Sequence, residues 1–131
     1  MMVGGVAISN GNPCSERLFR HDGRMTELHS LVVYVPRSHT ELVLAAIGDA
    51  GAGRIGNYSH CSFIAPGTGR FTPLDGASPY LGQVGSSEVV PEDRIECVVE
   101  QHLLAPVVAA LRSAHPYEEP AFMSWRVDGW R

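Results

Sequence analysis

The sequence predicts an α+β domain of ferredoxin-like plan: two strand–helix–strand halves forming a four-stranded antiparallel sheet with both helices on one face. Three observations point there. Short apolar or alternating runs at Ser30–Val35, Arg94–Val99 and Ala121–Val127 have the period of strands. Apolar residues recur at helical intervals across 43–50 and 104–114. Each helical stripe stands between two strand patterns, so the same order occurs twice.

Ser30–Val35 (SLVVYV) is nearly all apolar and rich in valine, which suits a strand buried on both faces. Pro36 ends it. Ser38 stands three residues before Glu41, the spacing of a capping box. Val43, Ala46, Ile47 and Ala50 then trace a helix, and Gly51 and Gly53 stop it. Arg54–Ala65 carries aromatic and β-branched residues and reads as a long strand with a bulge near Gly56. Residues 66–90 are rich in Gly, Pro and Ser, yet Phe71, Leu74, Tyr80, Leu81 and Val84 recur through them. A stretch of that length inside a small domain is usually functional, and a hairpin-like excursion is expected.

In the second half, Ile95, Cys97 and Val99 share one face of a half-buried strand. Leu104, Val107, Val108, Leu111 and Ala114 form the next helical stripe, with Pro106 in the first turn, where its missing N–H is harmless. Ala121, Met123, Trp125 and Val127 alternate in the last strand. With both helices on one face, the other face must be solvated or covered by a partner. Tyr58, Val98 and Phe122 are expected there, and a second copy of the chain is a natural cover.

A chain of 131 residues is one domain by size. Residues 1–27 are expected to be a flexible tail, and 28–131 a single domain. Formal net charge is −4 with no basic run, which argues against a nucleic-acid partner. No apolar run is long enough to span a membrane. All ten basic residues are arginine, so Schiff-base and Walker-type lysine chemistry are excluded. Cys14, Cys61 and Cys97 form no C-x-x-C pair, and a reducing cytoplasm is the expected compartment.

The segment HPYEEPA (115–121) sets an imidazole, a phenol and two carboxylates on a stiff elbow between helix and strand. His115 and Pro116 suit a helix end. Tyr117, Glu118 and Glu119 have no such local reason.

Three stretches taken together resemble a known family: AGAGRIGNYSHCSF (50–63), GTGRFTPLDGASPYLGQVG (67–85) and AHPYEEPA (114–121). Their order and spacing are similar to the small domain inserted in bacterial Nif-three-like proteins, the Ngg-one interacting factor three family. The resemblance runs from about Leu28 to Val127. It implies a fold akin to the CutA and PII proteins, and hence a homotrimer. The family's two-metal lobes have no counterpart in this sequence. Phe122-Met123-Ser124 also stands where the family more often has a Tyr-Asp pair.

His60, His115 and Glu118 are candidate metal ligands, with zinc or copper as the divalent ion. The second and fourth strands are opposite sheet edges, ~14 Å apart at ~4.8 Å per strand, so such a site would lie between subunits. The simpler alternative is a strand histidine and a helix-stop histidine. Neighbouring Glu118 and Glu119 point apart in an extended elbow and make a poor acid–base dyad. A salt bridge to an arginine such as Arg54 is the plainer role. Cys61 beside His60 faces the other way and reads as a small filler. The expected function is a non-enzymatic CutA/PII-like module that binds a small ligand, a metal or a protein partner as an oligomer. Its candidate ligand-binding residues are Arg54, Tyr58, His60, His115, Tyr117, Glu118 and Glu119. The alternatives are a metal-dependent hydrolase or its accessory subunit, and a purely structural trimerisation domain.

Overall fold

The computed structural model describes residues 18–19 and 25–128. Most of the expected tail, 1–17 and 20–24, lies outside the described residues. Leu18–Phe19 pairs with Met25–Thr26 in a short antiparallel ribbon. The main sheet holds β1 (Leu28–Pro36), β2 (Phe63–Phe71), β3 (Glu88–Glu100) and β4 (Phe122–Val127). Helices α1 (Thr40–Asp49) and α2 (Leu104–Ala114) follow β1 and β3. The spatial order is β2-β3-β1-β4, antiparallel throughout. This is the expected ferredoxin-like arrangement.

β1 is central, and its continuous apolar run is buried on both faces. Leu31, Val33 and Val35 point to the helices, where they join Ile95, Cys97 and Val99 of β3. Val43 and Ile47 of α1 and Val107 and Leu111 of α2 close this core. Each such side chain contributes roughly 1.5–3 kcal/mol on burial.

Several expectations need correction. The second strand is not Arg54–Ala65: residues 54–62 turn, with a single bridge between Ile55 and Tyr58. Gly51, Gly53, Gly56 and His60 all have positive φ, which breaks an extended run. The strand begins at Phe63 and continues through Pro66, Gly67 and Gly69, residues tolerated because β2 is an edge strand. The excursion accordingly narrows to 72–87. β3 begins at Glu88 instead of Arg94, because its first residues pair with the late part of β2, down to Phe71 opposite Glu88.

The Ser38–Glu41 capping box does not form. Ser38 lies in a 3-10 turn (Arg37–His39) ahead of α1, and its hydroxyl bonds to His39 Nδ1 at 2.8 Å. The first residue of the helix, Thr40, instead donates its hydroxyl to Asp93 Oδ2 at 2.7 Å, tying α1 to β3. In β4 the faces are exchanged. Phe122 packs against the core with the Arg112 guanidinium 5.1 Å from its ring centre, whereas Met123 and Trp125 are exposed. Phe122 pairs with core-facing Val33, and that register decides the face of every residue after it.

Candidate functional site

The seven candidate residues fall into two groups. Gly51 sits against the Leu103 side chain, beside the start of α2, and the Gly53 N–H donates to the Val98 carbonyl at 2.7 Å. Arg54, Tyr58 and His60 follow in this turn, all exposed. His60 lies over Gly48, with Nε2 2.9 Å from Asp49 Oδ1 and Nδ1 2.9 Å from Ser59 Oγ. It closes the end of α1. His115 caps the far end of α2. Eleven residues of helix separate the two groups, ~16 Å at 1.5 Å per residue. Arg54 is therefore not beside the elbow carboxylates. Among the described residues, no group of three or more His, Cys, Asp or Glu is placed to hold a metal ion.

The elbow is built from His115 outward. Its N–H continues the helix ladder to the Leu111 carbonyl at 2.9 Å. The buried ring donates from Nε2 to the Tyr34 carbonyl at 2.7 Å, and Nδ1 accepts the Tyr117 N–H at 3.2 Å. Both nitrogens are thus engaged with backbone, and His115 can ligate a metal only by surrendering one of these bonds. Burial lowers its pKa from the ordinary value, which favours this neutral form.

Tyr117 anchors an aromatic cluster. Its ring centre lies 5.0 Å from that of His115, 5.7 Å from Phe71 and 6.2 Å from Tyr80, and Tyr80 meets His39 edge-on at 5.8 Å. The Tyr117 hydroxyl is buried beside the Glu92 carboxylate, and no donor reaches its oxygen. Burial pushes this phenol up, and the Glu92 carboxylate adds to the rise, so it stays protonated at neutral pH.

Glu118 is exposed and accepts the Ser78 N–H at 2.9 Å, which fastens the excursion to the elbow. The base of the excursion is closed by Thr72 and Ser87 hydroxyls 3.0 Å apart and by the Gly85 N–H to the Pro73 carbonyl at 2.8 Å. Between elbow, excursion and sheet lies a cleft of about 270 Å³. Tyr34, Phe71, Tyr80 and Tyr117 supply aromatic walls, and Arg70, Glu92, Glu118 and Glu119 supply the charges.

Sequence reasoning found the elbow but missed Tyr34, Arg70, Phe71, Tyr80 and Glu92 as its partners. The recurrence of Phe71 and Tyr80 in a polar stretch was the available signal for two of them. Tyr34 and Glu92 join through strand register, which leaves no local mark.

These features define a CutA-like α+β fold with an aromatic elbow site. The structure of the CutA divalent cation tolerance protein from Archaeoglobus fulgidus superposes with a TM-score of 0.57, covering 79% of this chain and 87% of that one, at 14% identity. A Bacillus cereus protein related to NIF3 superposes with a TM-score of 0.69 at 45% identity, covering 79% of this chain and 26% of the other. The GTP cyclohydrolase 1 type 2 homolog of Mycobacterium tuberculosis is 56% identical over 96 residues, 73% of this chain and 25% of that protein. No family model matches the chain. The chain is thus homologous to one segment of NIF3-related proteins, and that segment has a CutA-like fold. It spans about a quarter of the length of the curated relatives it matches.

Proposed function

We propose that the chain is a non-enzymatic CutA/PII-like binding module that holds a small ligand in the elbow cleft and acts as a self-associated homotrimer. The aromatic cleft carries this reading. It is concave, mostly apolar and fitted with a few convergent polar groups, the usual make-up of a ligand site. Its volume is near the lower end of the ~300–1,000 Å³ range for such sites, which suits a small molecule.

The polar groups favour holding over reacting. Both His115 nitrogens serve the backbone, the Tyr117 phenol stays protonated, and Glu118 is bonded to Ser78. Self-association is supported by the sheet face opposite the helices, where Phe63, Met123 and Trp125 are exposed. Among the described residues no helix is long and apolar enough to cross a membrane.

Sedimentation of the purified protein, with metal analysis of the same sample, tests assembly. A fragment screen of mixed charge, read by amide shifts at Tyr80 and Tyr117, tests the cleft. A trimer whose elbow amides respond to fragments is the expected result. A monomer at high concentration, with a silent elbow, removes the reading.

A further inference from the structure

We propose that the cleft is selective for a small organic cation, a primary ammonium or guanidinium carried on a short apolar body. This rests on the binding-cleft reading above and names the ligand class.

The walls come first. Tyr34, Phe71, Tyr80 and Tyr117 line one space, and the negative face of an aromatic ring attracts a cation. The same rings take up an apolar body, which a bare metal ion lacks. The charges agree: three carboxylates, Glu92, Glu118 and Glu119, line the cleft against one guanidinium, Arg70. An anionic ligand meets net repulsion there.

Glu92 lies beside Gly69. A Cβ added to that glycine would meet its carboxylate, which places the carboxylate over the β2 backbone. From there it faces the Tyr117 phenol.

The last observation is the buried Tyr117 hydroxyl, which faces the Glu92 carboxylate while its oxygen receives no donor. Leaving a buried acceptor unpaired is unfavourable. An ammonium or guanidinium N–H can donate to the hydroxyl oxygen and, in the same approach, reach a carboxylate. A neutral hydrocarbon satisfies neither. A divalent metal ion would exchange its water for aromatic walls, and among the described residues no set of three ligating side chains is placed to receive it.

Titration of the full chain with phenethylammonium, 2-phenylethanol and phenylacetate separates these cases, because the three probes share a body and differ in charge. Phenethylammonium is expected to bind at least tenfold more tightly than the alcohol, with phenylacetate weakest. Glu92→Gln should weaken phenethylammonium by about tenfold, the scale of one charge-assisted contact. Glu119→Gln, at an exposed position, should weaken it severalfold while leaving the melting temperature unchanged, so a folding defect in the first variant does not decide the matter. Alcohol or carboxylate binding as tightly as the amine overturns the cation class and leaves the cleft reading intact. Silence from all three probes at millimolar concentration, with fragments also silent, overturns both.

Discussion

The His115 ring donates to the Tyr34 carbonyl at 2.7 Å while the Tyr34 N–H donates to the Ala121 carbonyl at 3.0 Å. One residue of the central strand is therefore gripped from both ends of the elbow. The grip continues the β1–β4 ladder just past its last pair, Val33 and Phe122. It fixes the elbow to the sheet, and the adjoining bond from the Tyr117 N–H to Nδ1 needs a neutral imidazole.

Stability should accordingly fall below neutral pH. Burial lowers the His115 pKa, although the Tyr34 carbonyl and Glu92 act the other way. The unfolded imidazole titrates near 6.5, so below that pH the unfolded state binds more protons than the folded state. The contribution is full above 6.5 and is lost as the pH drops toward the folded pKa. Urea midpoints measured from pH 7 to pH 5 should decline, and His115→Asn should flatten that decline whatever its absolute stability. An equal slope in both proteins would remove this role.

Gly53→Ala should be costly. The residue has φ +79°, and an added Cβ would lie 2.3 Å from the Cys61 carbonyl oxygen and 2.6 Å from the Cys61 nitrogen. These are backbone atoms and cannot swing aside. A loss of about 2 kcal/mol or more is expected in chemical denaturation. Gly67→Ala is the control, since a Cβ there meets nothing within 4 Å.

The two described thiols should react very differently. Burial pushes the Cys97 thiol up to about 11, with Glu96 adding to the rise, and the residue belongs to the core. Cys61 is free and half-buried. In a Cys14→Ser background, an aromatic disulfide reagent at pH 8 should label Cys61 in the native protein and Cys97 only after unfolding. Rapid modification of both would contradict the assigned burial.

The excursion should loosen when its tether is cut. Glu118→Ala removes the acceptor for the Ser78 N–H. Amide hydrogen exchange across 76–85 should quicken about fivefold, the effect of one modest hydrogen bond, with the core strands unchanged. If exchange there stays as slow as in the parent, the aromatic contacts of Tyr80 hold the excursion without help.

Much of the fold was legible because hydrophobic period reports burial directly. Ile95, Cys97 and Val99 alternate in sequence and lie together in the core, and the continuous run of β1 marks a strand covered on both sides. β2 was misplaced for an equally physical reason. Pro66, Gly67 and Gly69 look like a loop, yet an edge strand needs hydrogen bonds on one side only, so they are admitted. β4 was read one face out because Met123 and Trp125 look like core residues, and only register reveals that Phe122 takes the inner face. The elbow announced itself by composition. Its partners, Tyr34 and Glu92, reach it through strand pairing, which a linear reading cannot see.

The turn carrying Cys61 and the elbow carrying Tyr117 sit at opposite poles, separated by the length of α2. That separation offers a handle. A fluorophore attached at Cys61 stands away from the aromatic walls, so energy transfer between labelled copies can be followed while the ligand chamber keeps its native lining.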